Sequence, residues 1–181
     1  MATARAHKSD AIELLKRDHA AVKELFEEFH RFHEEAAEGM EEVMQEIVDQ
    51  TCRALNIHMR IEEEIFYPAA REALPEEPDL MNEAIVEHVG AKDLIEEIGA
   101  GSVSDSMTRA RFLVLGEHIY LHVREEEGGM FPRLRRTSMD MEKLGARLAA
   151  RKDELEGDAV RVRGTVPSKP TLWDRIATLR E

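Results

Sequence analysis

The sequence has one cysteine, Cys52, among its 181 residues. A single thiol excludes an internal disulfide, an iron–sulfur cluster held by several thiolates and a CxxCH haem attachment. Cys52 itself reads as a small residue beside a core position. Long apolar runs are missing as well: no stretch approaches the roughly 18 residues that span a bilayer. MATARAHKSD at the N-terminus lacks an apolar segment of signal-peptide type, so a cytoplasmic location is expected. Nothing reads as a strand. Basic charge is scarce over most of the chain. Residues 1–132 hold 13 Lys and Arg against 30 Asp and Glu, a net of −17, whereas residues 133–181 hold 12 against 8, a net of +4. The acidic body would repel nucleic acid and anionic membrane, so neither is expected as a partner. The basic end has no aromatic interleaving beyond Trp173, which favours docking onto the acidic body over a nucleic-acid surface.

What is present is helical periodicity. With 43% hydrophobic and 35% charged residues the chain is long enough for one domain with a real core. A first helix is predicted from a Ser9 or Asp10 cap to a stop at Gly39, with Ile12, Leu15, His19, Val22, Phe26, Phe29 and His33 at steps of three and four. A second runs from about Met40 to Leu74, with a kink or break at Pro68. A third spans about Asp79 to Ile98 with Met81, Ile85, His88, Ala91 and Ile95 on one face. After the loop GAGSVSDS, a fourth carries Phe112, Leu115, Ile119, His122 and Glu126 until Gly128, Gly129 and Pro132 end or bend it. A fifth, SMDMEKLGARLAARKDELEG, uses Met141, Leu144, Leu148 and Leu155. The expected fold is all-α: an antiparallel up-down-up-down four-helix bundle over residues 1–135 with an accessory C-terminal helix at 136–156. Residues 157–181 read as a loosely held tail, with a short helix around Trp173 to Leu179.

All four long helices place histidine where a core residue belongs. The stripe through Met44, Val48, Thr51 and Leu55 continues as His58 and Glu62 before returning to Ile65 and Ala69. HMRIEEEIFYP (58–68) and HVREEEGGMFP (122–132) align without a gap, so His58 matches His122 and Glu62 matches Glu126. DHAAVKEL (18–25) and EHVGAKDL (87–94) align in the same way and pair His19 with His88. Side chains at i and i+4 of a helix stack on one face about 5 to 6 Å apart, so each His-x-x-x-Glu aims an imidazole and a carboxylate into one volume. One lone histidine in a stripe is ordinarily a satisfied core residue, and one His-x-x-x-Glu says little in a chain rich in glutamate. The set repeated in register is a metal signature. A buried unpaired carboxylate costs several kcal/mol, and two divalent cations would remove that cost. The economical arrangement is two bridging glutamates with two terminal histidines per metal. Glu64, Glu87, Glu125 and Glu127 read as a solvated face, and Met40, Met44, Met81 and Met130 as core filler. His118 lies about 40° off His122 around its helix and is a possible additional ligand or outer partner, or else a cleft or surface residue. His7 and His30 lie in the tail or off the stripe, and His33 is about 21 Å along the helix from His19.

These motifs resemble the haemerythrin-like HHE cation-binding family. The resemblance covers roughly residues 9–135 and rests on DH at 18–19, HMRIEEEIFYP, EH at 87–88 and HVREEEGGMFP. It implies a four-helix bundle with two iron ions and a bridging oxo or hydroxo group. His19, His58, His88 and His122 would be terminal ligands, with Glu62 and Glu126 bridging. The oxygen-carrying members use five histidines, and here the fifth is either His118 or absent. Absence would leave both irons with exchangeable positions. Imidazole with carboxylate suits iron, although zinc or manganese would also occupy such a site. Three roles follow: a non-haem protein that binds or senses dioxygen or a related small oxidant, an enzyme reducing peroxide or nitric oxide, and an iron reservoir or switch. No docking signature for a redox partner is present.

Overall fold

The structure is a computed structural model describing residues 10–35 and 39–163, among which there are helices and turns but no strand. Helix α1 spans Ala11–Glu34 and starts at Asp10, whose side chain accepts a hydrogen bond from the Glu13 N–H at 3.0 Å. That bond satisfies one of the donors a helix leaves open at its first turn. Helix α2 spans Glu41–Ile61, α3 Tyr67–Ala73, α4 Pro78–Gly99 and α5 Ser106–Glu125. Asp105 caps α5 by accepting from the Thr108 N–H at 3.1 Å. A four-residue α6, Phe131–Leu134, and the long α7, Met141–Arg163, complete the order.

Pro68 and Pro132 do not break their helices. A proline cannot donate to the carbonyl four residues back, and its ring collides with that carbonyl. Each helix answers with one π turn just ahead of the proline, Glu62–Phe66 and Glu126–Met130. The Tyr67 N–H bonds the Glu62 carbonyl and the Phe131 N–H bonds the Glu126 carbonyl, both in the i→i−5 register. The expected kink or break is therefore a local widening, and it begins at the two glutamates of the His-x-x-x-Glu pairs.

Two apolar clusters flank a polar layer. One gathers Val22, Leu25, Phe29, Ile47, Leu55, Met59, Phe112, Leu115 and Val123, among others. The second gathers Ile12, Leu15, Phe66, Tyr67, Met81, Met130, Phe131 and Leu134. Helices α1 and α4 run from the second cluster, through a histidine, into the first; α2 and α5 run the opposite way. Met44, Met81 and Met130 are core filler as expected, with Met40 packed partly against the first cluster. Cys52 is half-buried, and burial first, then Asp49, pushes its thiol up to about 12, so it stays protonated.

Helix α7 lies along α1 and α2 and adds Leu144, Leu148 and Leu155 to the second cluster. The basic end docks on the acidic body here: Arg151 pairs with Glu64 at 2.7 Å and Lys152 with Asp18 at 2.5 Å. Gly157 does not end this helix, which continues to Arg163, so the tail expected to start there is helical as far as Arg163. The predicted segment around Trp173 to Leu179 and His7 lie outside the described residues.

Candidate metal centre

Between the two clusters stand six buried polar side chains: His19 on α1, His58 on α2, His88 on α4, His122 on α5, and Glu62 and Glu126 at the starts of the π turns. Their inner atoms converge. The Nε2 atoms of His19 and His58 lie 3.0 Å apart, and those of His88 and His122 lie 3.3 Å apart. Glu62 reaches between the pairs, Oε1 at 3.2 Å from His58 Nε2 and Oε2 at 3.4 Å from His88 Nε2. Glu126 Oε2 stands 3.3 Å from His19 Nε2 and 3.7 Å from His122 Nε2. Two overlapping groups have ligand atoms close enough for one ion each: His19, His58, Glu62 and Glu126, and Glu62, His88 and His122. The six residues singled out in the sequence are thus brought together. His118 belongs to neither group and lies exposed on the outer side of α5. His30 pairs at the surface with Glu34 at 3.1 Å, and His33 packs near Phe29, away from the centre.

Three of the four imidazoles are hydrogen-bonded from behind by a carboxylate, and the fourth, His58, faces one without a hydrogen bond. His19 Nδ1 bonds Glu127 at 2.9 Å, His88 Nδ1 bonds Glu63 at 2.9 Å and His122 Nδ1 bonds Glu87 at 2.7 Å; His58 Nδ1 faces Asp18 at 3.5 Å. With Nδ1 assigned as donor to its carboxylate, the ring of a neutral histidine turns the Nε2 lone pair inward. The expectation that Glu87 and Glu127 belong to a solvated face is corrected here. The same repeat marks these residues: an acid precedes each lone histidine (Asp18, Glu87) and another follows each inner glutamate (Glu63, Glu127). Lysines back this layer, with Lys92 on Glu63 at 2.6 Å and Lys152 on Asp18. The π register turns each residue through a smaller angle than an α turn, and Glu62 with Glu63 and Glu126 with Glu127 accordingly face the centre as adjacent pairs.

The donor set fits cations. Both oxygens of Glu62 and Oε2 of Glu126 are buried without a hydrogen-bond donor, a costly condition that a positive ion relieves. Protons are the alternative relief. Burial opposes charge on His58, but Glu62 and Asp18 outweigh it and hold the imidazolium up to about 10. His122 is also raised: burial works against it and Glu87 and Glu126 prevail. His88 is lowered, mainly by burial. Burial would raise Glu126, yet His19, His122 and His58 bring it down to about 2. Metal binding at pH 7 should therefore expel at least one proton, from His58. Titration calorimetry in buffers of different ionisation enthalpy would measure this, and no buffer dependence would contradict it.

The aromatic rings beside the two histidine pairs differ by one hydroxyl. Tyr67 aligns with Phe131 in the repeat; Phe131 stacks near His19 with ring centroids 5.9 Å apart, and Tyr67 sits 5.4 Å from His88. The Tyr67 hydroxyl donates to Glu126 Oε1 at 2.9 Å and lies 3.2 Å from His88 Nε2. It is a site residue that the sequence reading passed over, although the Tyr/Phe mismatch in the repeat was the signal for it.

A family described as the haemerythrin HHE cation-binding domain matches residues 10–134. The chain belongs to that family. A crystal structure of a haemerythrin HHE cation-binding domain-containing protein from Mycobacterium kansasii superposes with a TM-score of 0.67 at 27% identity, covering 83% of this chain and 90% of the other. No curated protein matches the chain. The matched span ends at α6, and α7 follows it. No described helix is long and apolar enough to cross a membrane.

Proposed function

We propose that this haemerythrin-like protein is an antiparallel up-down-up-down four-helix bundle, up to residue 135, that holds two iron ions and binds or senses dioxygen or a related small oxidant. The opposite passage of alternate helices between the two clusters supports the topology. The observation that carries the metal reading is the set of three buried oxygens of Glu62 and Glu126 without donors, surrounded by four imidazoles that are hydrogen-bonded to a carboxylate at Nδ1 or face one there. His19 and His58 would hold one ion and His88 and His122 the other, with Glu62 and Glu126 shared. Such a pair supplies reversible one-electron chemistry and exchangeable positions for small ligands.

The chain's own residues do the rest. Asp18, Glu63, Glu87 and Glu127 fix the rings and raise the basicity of Nε2. Val22, Leu55, Met59, Ile119 and Val123 close the centre from the side of the first cluster, leaving a space of about 10 Å³, roughly one water. Burial, then Glu126 and Glu62, pushes the Tyr67 hydroxyl well above its ordinary value, so it keeps its proton at neutral pH. A protonated hydroxyl beside the His88 half favours a second reading, turnover of peroxide or nitric oxide, in which Tyr67 is the group positioned to donate.

Anaerobic titration with ferrous iron, then exposure to dioxygen, peroxide and nitric oxide, tests the reading. Two irons per chain and a reversible optical change with dioxygen are expected of a carrier or sensor. A reproducible single metal per chain, or a colourless oxidised protein, would overturn the two-iron centre.

A further inference from the structure

The two helical hairpins, α1 with α2 and α4 with α5, repeat at the centre but not on their outer faces. Along α1 and α2 the outer side is covered by α7, and Asp18, behind His58, is only 13% exposed. Its counterpart Glu87, behind His122, is 34% exposed, because among the described residues no helix lies over α4 and α5 in the same way. There a cavity of about 310 Å³ opens between α4 and α5, and its walls include Val86, Gly90, His118 and Leu121 together with His88 and His122 themselves.

Sequence differences between the halves make this opening. Ala21 and Val22 of the first repeat are Gly90 and Ala91 in the second, each smaller. Glycine inside a helix costs roughly 1 kcal/mol relative to alanine, and an alanine would fit at 90, since a Cβ built there meets nothing within 4 Å. Gly90 therefore leaves space unfilled. On the facing helix, His118 stands where the first hairpin has Ala54, which puts a polar group on the wall. Val86, Ala91, Ile119 and Leu121 line the rest. Apolar walls favour uncharged molecules, and the Glu87 carboxylate disfavours anions.

We propose that small uncharged molecules reach the centre through this α4–α5 cavity and meet the His88/His122 half first. The inference rests on the two-iron reading, and it adds a route, a side and a ligand class to it. A plug in a passage raises the barrier for entry and exit alike, so association and dissociation slow together while the equilibrium constant stays put.

The test is stopped-flow binding of nitric oxide to the ferrous-loaded full chain, with metal content measured alongside. Gly90→Leu should lower both rate constants by about tenfold or more at unchanged Kd and unchanged metal content. Gly90→Ala, which keeps the helix, should give a smaller slowing, and His118→Ala should quicken both rates. Crystals of the iron-loaded wild type under xenon should show the gas in the cavity, and Gly90→Leu should lose it. Unaltered rates in Gly90→Leu with two irons bound would overturn the route and leave the centre standing. A wild type that holds no iron would overturn the reading of the centre instead.

Discussion

Loading the protein with two ferrous ions should raise its melting temperature by on the order of 15–30 °C. The magnitude follows from linkage: a ligand at a thousand times its Kd stabilises by about 4 kcal/mol per site, and 1 kcal/mol moves a domain of this size by roughly 2–4 °C. The unfolded chain offers no competing site, because its ligands run from His19 to Glu126 and disperse on unfolding. Glu62→Gln should remove much of that rise. In the metal-free protein the same change removes one of the two carboxylates that hold the His58 proton, so the empty variant should melt slightly lower than the empty wild type at neutral pH. Equal melting temperatures with and without iron in the wild type would refute the metal centre.

The size of the rise should grow with pH. In the metal-free protein His58 is raised above its ordinary 6.5 to about 10. Its contribution to stability is then fully present below pH 6.5 and is lost as pH climbs through about 10. Metal needs the neutral imidazole, so the loaded protein gains over the same window in which the empty one loses. From sequence alone the competition between protons and metal would sit near 6.5; Glu62 and Asp18 extend it upward.

Much of this centre was legible because the chain repeats itself. His19 with His88, His58 with His122 and Glu62 with Glu126 are in register, and a stripe that should be apolar marked each of them. The outer carboxylates were harder. Glu87 and Glu127 neighbour core positions in a chain full of surface glutamate, and what separates them from the exposed Glu125 is an imidazole partner on another helix. Asp18 and Glu87 hold a ring within their own hairpin, whereas Glu63 and Glu127 reach across to the other, a contact no helical periodicity encodes. Pro68 and Pro132 announced a disturbance but not its form. Phe66, Tyr67, Met130 and Phe131 are locked into the second cluster, so the helices could not break there and widened instead. Gly157 read as a stop, yet α7 runs through it. One glycine in a helix costs about 1 kcal/mol, which the seating of Leu144, Leu148 and Leu155 offsets.

Tyr67→Phe should destabilise the metal-free protein and, in the opposite direction, tighten its hold on iron. The Tyr67 hydroxyl is the hydrogen-bond donor to Glu126 Oε1, and Glu126 Oε2 has none. Glu126 carries its charge at neutral pH, its carboxyl being brought down to about 2 despite burial. Removing a hydrogen bond to a buried charge costs about 1.5–3 kcal/mol. The iron-loaded protein should lose less, because a cation held by Glu126 would offset its charge and make the hydroxyl less needed there. The difference appears as affinity, about 10- to 100-fold at 1.4 kcal/mol per decade. The substitution also removes the hydroxyl that sets this half apart from the Phe131 half, so two ions should bind with more similar affinities than in the wild type. Competition with a chelator of known affinity, beside thermal denaturation of the metal-free protein, measures both effects. Weaker iron binding in Tyr67→Phe would mean that the hydroxyl is itself a ligand to the ion at His88, 3.2 Å away. If peroxide or nitric oxide is turned over, the same variant should lose on the order of 100-fold in rate with its iron intact, as removal of a positioned proton donor does. Tighter iron together with slower turnover would separate the hydroxyl's two duties, masking Glu126 when the centre is empty and holding a proton beside His88 when it is filled.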